Sequence, residues 1–435
     1  MLARSGPSTA CAALALAALL VAPRVLASPE DVFGFGARSS AMGRAGAAIG
    51  EGYEAVYSNP ALLSLERERT LTIGLTGALF DLHANGLMPQ EPLHGAVIGA
   101  TVPLPFEGIL KDRIALGVGF FTPFDLVVRG RILYDETPRF LLPDRTQSVA
   151  VQAGIGIDVG YGVRIGGGFA ALAALTGSVD VGTDASGHIG TVVEDTLVAS
   201  YGPIFGASVD VGKNYRVGAT FRGELVGRFN VVINVSDLGT ITVPPLNIAG
   251  VPQYDPWQIA LEVARVRGPW RAAIGATYKH WSAYPGQLEA TVQCPTTDPT
   301  TGMPFTGDCN QAPLPSPNYH DTVTPYVGGE RVVEARRGAT MALRAGAFFE
   351  PTPAPEQTGT SNLFDNSRVG LSVGYGLRLA APLPPIQLDW FTQAQIALPR
   401  THTKDATVAP GSPGYPSVST GGAIGAMGVT LGVRF

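Results

Sequence analysis

Apolar and polar residues alternate with a period of two over much of this chain. From Tyr215 to Phe229 the odd positions read Tyr, Val, Ala, Phe, Gly, Leu, Gly, Phe, while the even positions include Arg216, Thr220, Arg222, Glu224 and Arg228. Successive side chains of a strand point to opposite faces, so this segment carries one oily face and one charged face. Val149, Val151, Ala153, Ile155, Ile157 and Val159 alternate with Gln152, Gly154, Gly156 and Asp158. Trp270, Ala272, Ile274, Ala276 and Tyr278 alternate with Arg271, Thr277 and Lys279, and Ile386 to Leu398 alternates with Gln387, Asp389, Gln393 and Gln395. A helix could not keep these polar residues on one face. At a rise of about 3.3 Å per residue, a strand of this length crosses a bilayer at a tilt.

Beyond the first residues, no stretch reads as a transmembrane helix. Ile165 to Val179 lacks charge but is short and broken by Gly166, Gly167, Gly168 and Gly177. A spanning chain without helices must close its strands into a barrel. A soluble sandwich alternates too, but three features favour the barrel. The segments are long, Trp257, Trp270, Tyr278 and Trp281 sit near strand ends as an aromatic girdle requires, and the loops are unequal. Long insertions near Asn234–Tyr254, Pro285–Glu330 and Thr401–Thr420 are expected on one rim, and about 14 strands are expected in all. Met427, Val429, Leu431, Val433 and Phe435 alternate with Gly428, Thr430, Gly432 and Arg434. That run reads as a closing strand, and it resembles the terminal signature by which bacterial outer-membrane barrels are recognised for insertion. The expected partners are therefore the barrel assembly machinery, engaged through Phe435, and the lipids and lipopolysaccharide of the outer membrane.

The N-terminus predicts export, and export decides how the cysteines are read. Arg4 followed by the apolar core Cys11 to Val21 and by Val25-Leu26-Ala27 reads as an export signal cleaved after Ala27, giving residues 1–27 as signal peptide. The core is too short to span a membrane, which takes roughly 20 apolar residues. Cys294 and Cys309 lie close together in a Pro/Thr/Gly-rich stretch, where an exported protein is expected to form a local disulfide. No metal or cofactor is expected. Only 15% of residues are charged and 45% are hydrophobic, a balance that excludes disorder. The net charge of −5, without a basic cluster, excludes nucleic-acid binding.

Residues 28–69 differ in character from the alternating strands. Gly34, Gly36, Gly43, Gly46, Gly50 and Gly52 permit tight turns and close packing, as a plug inside a barrel would need. Here the sequence resembles the FadL/TodX family of outer-membrane fatty-acid and hydrocarbon transporters. The resemblance rests on Phe35, on Met42-Gly43-Arg44-Ala45-Gly46 and on Asn59-Pro60-Ala61 in this segment. Trp270 with Tyr278-Lys279-His280-Trp281-Ser282, and Phe364-Asp365-Asn366-Ser367-Arg368 leading into Leu371 to Gly376, add to it further on. It implies an all-β, 14-stranded transmembrane barrel over residues 70–435, plugged by an N-terminal hatch. It further implies a hydrophobic ligand that binds at the extracellular end and leaves sideways through the wall once the hatch shifts.

Asn59, Pro60 and Ala61, with Gly43 and Gly46, are the candidate gating residues. Pro60 fixes its own φ and biases Asn59 away from helix, and Asn59 can bond backbone in a turn. The same residues could simply form a turn into the first strand. Phe33 and Phe35 either reach the ligand or pack on the wall. Arg216, Arg222 and Arg228 either meet a carboxylate headgroup or pair with lumen acids such as Glu224 and Asp158. The six histidines are scattered, without metal-ligand spacing or a serine–acid arrangement, so no enzyme is expected. Two other readings remain: a non-transporting structural or secretion-associated barrel, and an outer-membrane lipid hydrolase.

Overall fold

The structure, a computed structural model, describes residues 30–86, 88, 90–124, 136–146, 149–183, 189–235, 246–286, 288–292 and 316–435; among these, the side chains of 144, 172–199, 228–235, 246–253 and 288–292 are left undescribed. The export signal of residues 1–27, the Cys294/Cys309 pair and the side chain of Arg228 therefore lie outside the described residues.

Fourteen strands form the wall: β1 Thr70–Ala84, β2 Leu93–Pro103, β3 Ile114–Pro123, β4 Ala150–Gly160, β5 Val163–Thr183, β6 Ile189–Val211, β7 Tyr215–Arg222, β8 Gln258–Arg267, β9 Trp270–Lys279, β10 Thr322–Arg336, β11 Ala339–Glu350, β12 Arg368–Leu379, β13 Ile386–Thr403 and β14 Ser417–Arg434. Each pairs antiparallel with its predecessor, and β14 returns to β1 in a register running from Thr70↔Arg434 to Ala84↔Thr420. That last pairing removes the free edges of the sheet, which lipid cannot satisfy. Leu71, Ile73, Leu75 and Leu79 of β1 are exposed, whereas Ala78, Phe80 and Leu82 are buried, and β8, β10, β13 and β14 show the same alternation. The exposed apolar face is the one a bilayer would cover.

The two rims differ. The connections 161–162, 212–214, 268–269 and 337–338 on one rim are tight turns, whereas the longest connections, 223–257 and 280–321, lie on the other. Short turns mark the periplasmic rim of such barrels, so the long connections face outward. On that side β5 and β6 stay paired to Thr183↔Ile189, some dozen residues past the end of β4, a projection of about 40 Å. Three further strands, Leu225–Val235, Leu246–Asp255 and Leu288–Val292, extend this projecting hairpin into a wider sheet. Arg139–Phe140 and Leu363–Phe364 pair in parallel within the outer connections.

Four expectations need correction. Tyr215 to Phe229 is not one strand. The wall strand stops at Arg222, the Gly223 amide donates to the Pro203 carbonyl at 2.7 Å, and the chain restarts at Leu225 towards the projecting sheet. The stretch Pro285–Glu330 is not all loop, because β10 begins at Thr322 and turns Glu330 into the lumen, where it is 2% exposed. The insertion Thr401–Thr420 is likewise shorter, since β13 runs to Thr403 and β14 starts at Ser417. Trp281 does not join a lipid-facing girdle: it is buried among Tyr254, Tyr284 and Tyr319, under the Arg145 guanidinium.

Candidate functional site

Residues 30–65 fill the barrel. Short helices at Glu30–Phe33, Ala37–Ala41 and Ala55–Ser58 and a 3-10 turn at Pro60–Leu65 are almost entirely buried. Elements this short have little stability of their own, so their geometry is imposed by what surrounds them. Much of that surrounding wall is glycine. A Cβ on Gly99 would meet the Tyr53 ring at 2.1 Å, one on Gly119 the Phe35 ring at 2.4 Å, and one on Gly166 the Ala61 amide at 2.3 Å. One on Gly218 would meet the Ala47 carbonyl at 1.8 Å, and one on Gly328 the Met42 carbonyl at 2.2 Å. Wall and segment are matched around the circumference, wall glycines lying against either rings or backbone of the segment.

Polar groups of the wall hold the segment in register. Glu262 of β8 accepts the amides of Gly46, Ala47 and Ala48 at 2.8, 3.0 and 2.9 Å, and its Oε2 also accepts the Tyr326 hydroxyl at 3.1 Å. Successive backbone N–H groups converging on one carboxylate form an anion-binding nest. Arg38 reaches Glu330 through two donors at 3.2 and 3.1 Å, and Glu330 in turn accepts from Arg344 and Arg271. A second network joins Asp31 to Arg145 and Lys279, and Lys279 to Glu350, which also pairs with Arg44 at 2.6 Å. Buried charges this well paired are tolerable, and losing one partner of such a pair costs about 3–5 kcal/mol. Glu30 is the exception: Gln152 donates to Oε1 at 3.2 Å, Oε2 has no hydrogen-bond partner among the described residues, and burial pushes the carboxyl up to about 8.

The candidate residues named above fall within this interface. Asn59 is fully buried. Its Nδ2 donates to the carbonyls of Ala47 at 2.6 Å and of Ala207 in β6 at 2.9 Å, and its Oδ1 accepts the Ala61 amide at 3.0 Å. Pro60 and Ala61 lie against Gly156 and Gly166. Gly43, at φ +63°, donates to Ser372 Oγ at 2.9 Å and sits against the Ala347 backbone. Phe33 and Phe35 are buried, Phe33 beside Phe80 and Phe35 between Tyr53 and Tyr57. Arg216 pairs with Asp210 at 2.7 Å, not with Glu224 or Asp158. Arg222 donates to the Tyr57 carbonyl and to Gln258, with its guanidinium over the Tyr57 ring. Both arginines therefore have protein partners in this state. Sequence reading missed Glu262, Glu330, Lys279 and Glu350 as contacts of the segment. Their signal was present, as isolated charges at lumen-side positions among small residues.

The lumen is not uniform. Where β13, β14 and β1–β3 face inward they present Phe391, Ile424, Phe80, Leu82, Leu93, Val97 and Phe121, in one buried cluster with Phe33, Phe35, Tyr53 and Tyr57. The networks built on Glu262, Lys279, Glu330 and Arg344 occupy β8–β11. On the outer side, Phe140, Leu142 and Phe364 complete the apolar cluster from the loops. On the periplasmic side a cavity of about 450 Å³ opens among Arg38, Glu51, Arg216, Arg271, Arg378 and Arg434.

One cluster near the outer rim looks superficially catalytic. Desolvation works against the charged form of Asp321, but the hydrogen bonds it accepts from Tyr278 and from the Ser282 amide together outweigh it and hold the carboxyl well below the usual range. Ser282 Oγ and Asp321 Oδ2 approach the same nitrogen, His280 Nδ1, at 3.4 and 3.1 Å. A triad base uses one nitrogen for the acid and the other for the serine, so this arrangement relays nothing.

No protein-family model matches the chain. A stretch of 67 residues, 15% of the chain, is 43% identical to an uncharacterized protein in the phosphoenolpyruvate carboxykinase gene 5′ region of Chlorobium limicola, and the match spans about a third (33%) of that protein. The whole architecture, by contrast, has solved counterparts. A Pseudomonas aeruginosa FadL homologue superposes with a TM-score of 0.59 at 14% identity, covering 92% of this chain and 98% of that one. The toluene transporters TbuX of Ralstonia pickettii (TM-score 0.54, 16% identity, 93% and 99% covered) and TodX of Pseudomonas putida (0.55, 14%, 93% and 99%) superpose similarly. The molecule is thus a transmembrane β-barrel of the bacterial outer-membrane type. Its particular fold is that of the FadL and TodX channels.

Proposed function

We propose that this chain is an outer-membrane channel for passive uptake of hydrophobic small molecules, such as long-chain fatty acids or hydrocarbons, with residues 28–69 as a hatch that gates it. The observation that carries this reading is the apolar sector of the lumen on β13, β14 and β1–β3. A water-filled porin has a polar interior, which offers a hydrocarbon nothing. An apolar path lowers the cost of leaving a lipid or protein surface by about 0.8 kcal/mol per buried methylene. The sector is filled in this state by Phe33 and Phe35, so passage requires the hatch to shift. The ionic networks on the opposite wall supply the attachment from which it shifts. Resemblance in fold to a FadL homologue and to two toluene transporters supports the same reading. Uptake of radiolabelled toluene and of oleate should be faster in cells producing the protein than in cells lacking it. Phe80→Asp should slow both severalfold at equal barrel abundance. Uptake independent of the protein would favour the scaffold reading instead.

A further inference from the structure

A second surface lies outside the lumen, on the periplasmic end of the outer wall. On β8 the lipid-facing residues are Ile259, Leu261 and Val263, all exposed, and then the face turns cationic at Arg265 and Arg267. On β10 the same face runs Val323, Pro325, Val327, Gly329 and then Arg331. Between them β9 places Trp270, which opposes Arg267 on one side and Arg331 on the other. The Arg331 guanidinium lies over the Trp270 ring, 5.0 Å from its centroid. The three arginines are exposed, and among the described residues none of them has an ion-pair partner. At the same level the opposite arc is apolar, with Leu71, Val102, Val159 and Val433 facing outward.

We propose that Arg265, Arg267 and Arg331 form a binding site for the phosphodiester of an anionic phospholipid in the periplasmic leaflet of the outer membrane. Position is the first argument. The apolar band ends one residue pair before the arginines, and an indole such as Trp270 marks the headgroup level of a membrane barrel. Chemistry is the second. Guanidinium forks match phosphate oxygens, and Arg331 is pre-oriented by its stacking on Trp270. Arg265 and Arg267 are two residues apart on one strand, so both project on the same side, about 7 Å apart. Three unpaired cations favour a headgroup with net negative charge over a zwitterion, whose own ammonium would be repelled. On β8–β10 the cations face outward from the strands themselves, whereas other exposed cations of this rim, such as Lys111, Lys213 and Arg337, lie in the turns. The inference needs the membrane placement but not the transport reading.

The full-length barrel, purified in detergent, would be equilibrated with dioleoyl phosphatidylglycerol, phosphatidylethanolamine or phosphatidylcholine, and retained lipid counted by native mass spectrometry. Phosphatidylglycerol should be retained at least fivefold over phosphatidylcholine, with phosphatidylethanolamine between, and the preference should shrink at high salt. Each juxtamembrane cation contributes roughly a fivefold preference for anionic lipid. R265Q/R267Q/R331Q should therefore remove the preference, and R331Q alone should reduce it severalfold. The single variant also serves if the triple one folds poorly. R336Q/R337Q, at the last residue of β10 and in the turn beyond it, should leave it within twofold. Equal retention of the three lipids, an equal loss in R336Q/R337Q, or full displacement by millimolar inorganic phosphate would overturn the proposal.

Discussion

Glu262 in the wall and Gly46 in the lumen, 216 residues apart, are joined by a 2.8 Å hydrogen bond, and the same carboxylate takes the next two amides as well. Glu262→Gln keeps the shape of this contact but points an amide N–H at backbone donors. Each buried donor left unpaired costs about 1–3 kcal/mol. The barrel itself should persist, because its ladder bonds do not depend on this carboxylate. The expected result is a severalfold rise in small-solute leakage through reconstituted barrels, with unchanged heat-modifiability and strand-type circular dichroism. Wild-type leakage would mean that the nest does not hold the segment.

Gly166 tests whether the fit between wall and segment is as tight as the distances indicate. A methyl group there would lie 2.3 Å from the Ala61 amide and 2.4 Å from the Pro60 carbonyl carbon, both backbone atoms that cannot rotate away. Gly425 of β14 has open space around its missing Cβ. Gly166→Ala should raise leakage and expose residues 30–65 to added protease, whereas Gly425→Ala should change neither. Overpacking of this kind typically costs about 1–3 kcal/mol, enough to move a plug without unfolding fourteen strands.

The wall was more legible in the sequence than the contacts within it. Alternation at Ile386–Leu398 and Met427–Phe435 is a local property of consecutive residues, and both runs lie in strands with the expected faces, β14 ending at Arg434, one residue before Phe435. The break after Arg222 was not legible, because the odd positions stay apolar through Phe229 while the carbonyl that accepts the Gly223 amide belongs to another strand. Glu330 was hidden by the Pro-rich loop that precedes β10. Which lumen residue meets which part of the N-terminal segment depends on how the strands stagger around the barrel, and no window along the chain encodes that. Asn59 was found through its turn chemistry. Its bond to Ala207, 148 residues away, was not.

Glu30 gives the segment a pH dependence. Its folded value, about 8, lies above the ordinary 4.5, because burial disfavours the charged form. A raised value means that its seat is most favourable below the unfolded pKa and is weakened as pH rises through about 8. Leakage should therefore increase as pH rises from about 4.5 to about 8 and level off above that, and Glu30→Gln should flatten that rise while keeping the bond from Gln152. A pH profile identical in wild type and Glu30→Gln would remove Glu30 from the account. Asp31 beside it, ionised and held by Lys279 and Arg145, should not contribute over this range.

The strongest test lies in the peptide groups of Ala47. Its amide donates to Glu262 of β8, its carbonyl accepts from Asn59, and that carbonyl is pressed against Gly218 of β7. Asn59 also binds the Ala207 carbonyl in β6, so one small residue is held from three neighbouring strands. Asn59→Ala alone should change uptake of a hydrophobic substrate and small-solute leakage severalfold while leaving barrel abundance normal, since it strips two buried carbonyls of their donor. Glu262→Gln acts on the same loop from the other side. If the loop moves as a unit, whichever contact is lost first releases it, and the second loss adds little. The double variant should then fall short of the product of the two single effects by a coupling of about 0.5–3 kcal/mol, as residues sharing a partner do. Strictly multiplicative effects on leakage would show two independent fastenings, and the segment would then not be released at Ala47.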